Sequence, residues 1–428
     1  MQVQCKEVQI LPAFYNAGAN PQAKHRPPAV KPPTMAKPSS KPFDVCIRGG
    51  GITGRVLALL LARERLRVAL VLGPVGQGNV PGHGDVRAYA LNQKSKTLLE
   101  DLRCWPAGIS VTAVTYMQVQ GDDGGAVGFT AWQAGVQALA WIADVPALEA
   151  QLAQATQFQP HITVVDAPVP ATLTVVCEGR NSQTRTELGV DFDGQPYCHH
   201  AIATRVRCAA PHQGRAWQWF AGGPSAGEIL ALLPLDGPLG NLMAVVWSVT
   251  DEHAQRLMQQ DAATFCAALQ TASQDALGGL ELTAERSTWP LQLAQAQKWV
   301  GQMAPGAGLA EAGDAIQVGA WALAGDAAHT VHPLSGQGLN LGLADVAELA
   351  GLVAKRDYWR SVADLKLLRG YERSRKLDAA LLATATDGLQ RLFAQSGGNW
   401  QTLRNRGMQW FDSSGLIKNW VSQRAMGV

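Results

Sequence analysis

FDVCIRGGGITGRVLALLLARERLRVALVL, residues Phe43 to Leu72, decides how this chain is read. Asp44–Arg48 is a short β-run that ends in glycines, Gly54–Arg65 is rich in Leu and Ala with basic residues late, and Arg67–Leu72 is a second apolar β-run. A strand, a glycine turn, a helix and a second strand within about 30 residues open a doubly wound, Rossmann-type α/β domain. Gly49, Gly51 and Gly54 stand at the three glycine positions of GxGxxG. The first allows the tight turn, the second lets a pyrophosphate approach the backbone, and the third lets helix and strand pack closely. The helix amino terminus adds free N–H groups that favour an anion.

One element of this pattern is absent. An acidic residue is expected at the end of the second strand, where its carboxylate holds the adenosine ribose. Leu72 occupies that place, followed by Gly73. Arg48 and Arg55 flank the turn and are expected to offset part of the loss through the pyrophosphate.

Composition sets the outer limits. A chain of 428 residues, 47% hydrophobic and 16% charged, is globular and long enough for two or three domains. Net charge is +2, with no basic stripe interleaved with aromatics, which argues against a nucleic-acid partner. The 7 cysteines are scattered without a CxxC pair, so neither a zinc site nor a disulfide framework is indicated, and a reducing cytosol fits. No apolar run reaches the roughly 18–20 residues needed to cross a bilayer, so the expected localisation is cytoplasmic, with any membrane contact peripheral.

Residues 1–42 are rich in proline and lysine, and are expected to form a disordered tail or an extension ahead of a true start at Met35. Farther on, Ile229–Leu235 and Asn241–Val249 read as strands around an Asp236-Gly237-Pro238 turn. Ala320–Ala324 is a buried strand, Gln337–Ala354 a helix, and the chain from Tyr371 onward helical.

A second motif follows that buried strand: Gly325-Asp326-Ala327-Ala328-His329-Thr330-Val331-His332-Pro333-Leu334-Ser335-Gly336-Gln337-Gly338-Leu339-Asn340. It places the Asp326 carboxylate at a strand's carboxyl end, where α/β ligands bind. A tight turn then opens a helix on small residues, leaving backbone N–H groups bare. His329 and His332 lack a third ligand at motif spacing, so they read as loop-packing residues and no metal site is expected.

This stretch resembles the GD motif of the class A flavoprotein monooxygenases with the para-hydroxybenzoate hydroxylase fold. The resemblance implies FAD as cofactor. It assigns the ribityl contact to Asp326 and the flavin-ring loop to Pro333, Gly336, Gln337, Gly338 and Asn340, with Gly325 in the strand-end turn and Pro333 closest to the chemistry. Asp85-Val86-Arg87-Ala88-Tyr89-Ala90-Leu91, Trp289-Pro290-Leu291, Tyr371–Arg375, Ala385–Phe393 and Arg424–Gly427 are similar to segments of the FAD-dependent hydroxylases of ubiquinone biosynthesis. That similarity places Arg87 over the flavin side. Glu178-Gly179 stands where these proteins carry Asp-Gly, linked to both FAD and the nicotinamide donor, so Glu178 joins the expected cofactor contacts.

The implied fold is α/β, a Rossmann-type FAD-binding domain interleaved with a mainly β-sheet substrate domain, plus C-terminal helices. After the tail, residues 43–104, 141–190 and 301–370 fall to the FAD-binding domain, 105–140 and 191–300 to the substrate domain, and 371–428 to the helical region. His161–Thr174 is read as a shortened β-hairpin, and Gly301–Gly319 as an inserted surface loop. The implied activity is hydroxylation of a phenolic, polyprenylated ring by dioxygen through a flavin hydroperoxide, with NADPH or NADH as transient donor. Two alternatives stay open: a hydroxylase of a soluble phenol, and a flavin-binding accessory subunit of a quinone-biosynthesis complex. Residues 403–428, basic with interspersed Trp, Phe and Leu, are a candidate for contact with a membrane surface.

Overall fold

The computed structural model describes residues 43–73, 85–121, 124–222, 225, 227–303, 319–330 and 337–394, with 406–408, 410, 412 and 414. Val45, Cys46 and Ile47 are all buried, so strand Phe43–Arg48 is covered on both faces, as an apolar parallel strand requires. The helix that follows runs Ile52–Arg63, two residues ahead of the expected range. It stops there because Arg65 turns the chain with φ 58 towards the next strand, Val68–Val71.

Six strands form the first sheet, in the order Val300–Gln302, Ala320–Leu323, Ala171–Val176, Phe43–Arg48, Val68–Val71, Ile162–Val165. All pairings are parallel except that of the edge strand Val300–Gln302. The connections leave Phe43–Arg48 on both sides, making it the switch point of the sheet. Two expectations change here. Ile162–Val165 and Ala171–Val176 do not form a hairpin: the first pairs in parallel with Val68–Val71 and the second in parallel with Phe43–Arg48, on opposite sides of that strand. Gly301 and Gln302 belong to a strand paired with Trp321 and Ala320 rather than to a loop; residues 304–318 lie outside the described residues.

A second, nine-stranded sheet is mainly antiparallel and includes Phe192–Cys208, Arg215–Phe220, Ile229–Pro234, Leu242–Thr250 and Ser287–Ala296. Alternation along its strands gives it two faces. Trp217, Trp219, Leu232, Val245 and Trp247 pack with Phe265 and Leu257 of two covering helices, Asp251–Gln259 and Ala262–Ala272. A small sheet of Ala88–Leu91, Ala140–Asp144 and Val111–Val114 joins the two layers. Tyr89 packs into the core of the parallel sheet, while Ala88 and Ala90 pack with Ala216 and Ala244 of the large one.

The long helix spans Leu365–Ala394, starting ahead of the expected Tyr371, because Asp364 Oδ1 accepts from the N–H groups of Lys366 and Leu367. Tyr371 ties it to the parallel sheet by donating from its hydroxyl to the Leu323 carbonyl at 2.8 Å. Most of residues 395–428 lie outside the described residues. Among those described, Met408 packs on the Phe220 and Ile229 cluster, and Asp412 accepts from the Gly128 N–H at 3.2 Å. No described helix is long and apolar enough to cross a membrane.

Candidate functional site

Three loops leave the carboxyl ends of adjacent parallel strands: Gly49–Gly51, Cys177–Gly179 and Gly325–Asp326. A Cβ on Gly54 would stand 1.9 Å from the Gly49 carbonyl oxygen, so only glycine lets the helix start this close to the turn. A Cβ on Gly51 would meet nothing within 4 Å. Packing therefore accounts for Gly54, whereas the space at Gly51 is open to a ligand. Open space also surrounds the Cβ positions of Gly179 and Gly338.

Thr53 couples the two motifs. Its Oγ1 would lie 3.1 Å from a Cβ on Gly342, and its Cγ2 3.3 Å from one on Gly325. The GD turn and the helix Gly338–Ala354 thus close onto the first helix turn only because both contact positions lack side chains. Gln337 provides no side-chain cap to that helix, which opens on Gly338.

Asp326 exposes its carboxyl group, yet protein surrounds it closely enough for desolvation to raise its pKa; His329, Arg180 and Arg87 partly offset that rise. A solvent-reachable group with a strong desolvation effect sits inside a recess. Arg87 forks onto Asp85, with Nε donating at 2.9 Å and Nη2 at 2.5 Å, and its Nη1 lies 3.4 Å from the Tyr89 hydroxyl. Glu149, from the helix Val145–Gln157, faces Arg87 and Arg55, and burial raises its pKa. On the far side of Asp326, Arg180 donates to the Pro290 carbonyl at 2.8 Å, tying the Glu178–Arg180 loop to the large sheet.

Several expected contacts have partners within the protein. Glu178 accepts from the Ser182 hydroxyl (2.8 Å), the Thr184 N–H (3.0 Å) and the Thr184 hydroxyl (2.6 Å), which caps the short helix Gln183–Glu187. The Asn340 amide accepts from the Asn92 N–H and Ser95 hydroxyl and donates to the Ala90 carbonyl at 2.8 Å, holding the strand that carries Arg87 and Tyr89. Arg48 donates to the Thr184 hydroxyl and to Glu187. Arg55 donates to the Gly50 carbonyl at 2.7 Å and to Thr156, so it braces the turn from behind. Pro333 and Gly336 lie outside the described residues, as does His332. Among the described residues no three His, Cys, Asp or Glu side chains converge as a metal site would need.

Beneath the GD turn lies a network that motif spacing did not reveal. Asp345 is fully buried, and its Oδ2 accepts from the Gly325 N–H at 2.9 Å and meets His329 Nε2 at 2.6 Å. Its Oδ1 accepts from Arg375 Nε at 2.8 Å. Burial pushes the Asp345 carboxyl up, but His329 and Arg375 outweigh it and hold the group below the usual range. His329 stacks on Trp299 with ring centroids 5.0 Å apart. The sequence signal for this network is an aspartate in the middle of a mainly apolar helical run.

Sheet order, the switch point and the loops at the strand ends define a dinucleotide-binding fold of the doubly wound class. Residues 132–386 match the FAD binding domain family, and the chain belongs to that family, with FAD as its cofactor. It is 28% identical to "Ubiquinone hydroxylase UbiL" of Rhodospirillum rubrum, covering 94% of this chain and 93% of the relative. It is 26% identical to 3-demethoxyubiquinol 3-hydroxylase of Escherichia coli, covering 91% of this chain and 100% of the relative. Among solved structures, p-nitrophenol 4-monooxygenase PnpA from Pseudomonas putida DLL-E4 superposes with a TM-score of 0.66 at 16% identity, covering 90% of this chain and 98% of that one. The fold is that of the FAD-dependent monooxygenases. The glycine turn, the bare helix start at Gly338 and the recessed Asp326 carboxylate fit a pyrophosphate and a polyhydroxylated chain in charge and in space.

Proposed function

We propose that this chain is an FAD-dependent monooxygenase that hydroxylates the ring of a polyprenylated phenol during ubiquinone formation, taking dioxygen and NADPH or NADH as co-substrates. The observation that carries this reading is the convergence of Asp326 and the Gly49–Gly54 turn on one cleft, locked together through Thr53. Bound FAD supplies the oxygen-activating chemistry. Gly51 and the start of helix Gly338–Ala354 offer N–H groups to its anionic parts, and Asp326 accepts from sugar-type hydroxyls. Arg87, oriented by Asp85, borders the same recess. The two relatives with ubiquinone-pathway names match along more than nine-tenths of this chain, which supports the choice of ring.

The test is purification of the holoprotein, determination of its FAD content, and mass analysis after incubation with NADPH, dioxygen and a 2-polyprenylphenol. A yellow protein that adds one oxygen to the ring supports the reading. Protein that binds no FAD overturns it, and stoichiometric FAD without ring oxidation favours an accessory subunit. Peripheral contact with a membrane by residues 403–428 is the companion proposal, tested by liposome flotation with and without that segment in folded, yellow protein. Equal flotation of both forms sinks it.

A further inference from the structure

Leu72 leaves the adenosine ribose without the carboxylate expected to hold it, and the packing around the glycine turn brings in another. Gly50 lies against Leu72: its N–H donates to the Leu72 carbonyl at 3.3 Å, and a Cβ on it would meet Leu72 Cδ2 at 2.7 Å. From Gly50, Arg55 crosses to the helix Val145–Gln157. It donates from Nε to the Gly50 carbonyl at 2.7 Å and from Nη1 to the Thr156 hydroxyl at 2.9 Å. Glu149 precedes Thr156 by two helical turns, so both project from one face of that helix, about 10 Å apart.

The start of the helix fixes the other side of Glu149. The Val145 N–H donates to the Arg87 carbonyl at 3.4 Å, and Glu149 follows Val145 by one turn. Burial raises the Glu149 pKa, and Arg87 and Arg55 are the cations that oppose the rise. Burial also pushes the Tyr89 hydroxyl up; Arg87 opposes this, while Asp326, Asp85 and Glu149 add to it. One hydroxyl thus senses both the GD carboxylate and Glu149. The neighbouring acids are engaged, Asp85 with Arg87 and Asp144 with Arg205. Glu149 is half-buried, and it accepts no hydrogen bond and forms no close ion pair with a described residue.

We infer that Glu149 is a further cofactor-binding residue, its carboxylate accepting from a hydroxyl of the adenosine ribose in place of the acid missing at Leu72. The groups follow the order of the cofactor's parts: Asp326 for the ribityl chain, Gly51 for the pyrophosphate, and Glu149, linked through Arg55 to Gly50 beside Leu72, for the ribose. This goes beyond the proposed reaction and holds whichever ring is oxidised. The competing role has the opposite sign. A Glu149 that only balanced Arg55 and Arg87 would, once neutralised, leave those cations free to attract the pyrophosphate, and FAD would bind more tightly. Loss of a charge-assisted hydrogen bond to the ribose weakens binding instead.

Apoprotein is titrated with FAD and with FMN, which lacks the adenosine, following flavin fluorescence. Glu149→Gln should bind FAD about tenfold more weakly than wild type and FMN equally well. Its apoprotein should melt as high or higher, because an ionised carboxylate whose folded pKa is raised destabilises the fold at neutral pH. Leu72→Glu should gain more FAD affinity in the Glu149→Gln background than in wild type, since two carboxylates at one ribose compete for its hydroxyls and repel each other. Unchanged or tighter FAD binding by folded Glu149→Gln would overturn the inference. An equal loss with FMN, or an equal gain from Leu72→Glu in both backgrounds, would overturn it too.

Discussion

Arg375 donates from Nε to Asp345 at 2.8 Å, linking the long C-terminal helix to the helix that follows the GD turn. Both side chains are buried, and Asp345 also holds the Gly325 N–H, so this contact sets the backbone on which Asp326 stands. Arg375→Leu leaves the carboxylate without its cation and should cost about 3–5 kcal/mol in chemical denaturation. The sign of its pH dependence follows from the depressed pKa of Asp345. Its stabilisation is present above the unfolded carboxylate value and is lost as pH falls through the lower folded value. The wild type should therefore keep its advantage over Arg375→Leu at neutral pH and lose it on strong acidification; an advantage that does not change with pH would contradict this account.

The two glycines of the turn should separate folding from binding. Gly51→Ala adds a methyl group where the protein has nothing within 4 Å, so the variant should fold with an unchanged melting temperature. Its FAD affinity should fall tenfold or more, because the methyl group enters the space assigned to pyrophosphate. Gly54→Ala puts the same methyl group 1.9 Å from the Gly49 carbonyl oxygen and should lower stability before any ligand is added. Unchanged FAD affinity in Gly51→Ala would place the pyrophosphate elsewhere.

Asp326 should show a conflict between binding and stability. Desolvation raises its folded pKa, so its favourable contribution is complete below the unfolded carboxylate value and lost as pH rises through the folded one. Asp326→Asn should therefore melt higher than wild type as apoprotein at neutral pH, with the difference closing on acidification. FAD binding should respond in the opposite sense: weaker in the variant, and weakening in the wild type as acid protonates the carboxylate. Calorimetry of the apoprotein and flavin titration across pH measure both effects, and an apo variant less stable than wild type at pH 7 would contradict them.

Leu72 stands just past the second strand, Val68–Val71, and is 44% exposed, so replacing it should disturb little of the core. Leu72→Glu restores a carboxylate where the adenosine ribose is expected and should tighten FAD by about 1 kcal/mol, roughly fivefold. Flavin titration showing no gain in a folded variant would mean that other groups hold the ribose.

The strand–glycine–helix–strand unit and the GD turn were legible in the chain itself because each is local. Glycines at 49, 51 and 54 and an aspartate after a buried strand carry their meaning within a few residues, through backbone sterics and strand periodicity. Asn340 and Glu178 were also visible as motif positions, but not what they bond: their partners come from residues 90–95 and 182–184 once the layers close. The His329–Asp345–Arg375 network could not be read locally. A mid-helix aspartate acquires significance only from burial and from partners contributed by distant segments. The sequence by itself determined the dinucleotide fold and the turns that face its ligand, since these follow from short-range geometry. Tertiary structure alone decided which side chains brace those turns, because desolvation and long-range pairing are properties of the packed layers.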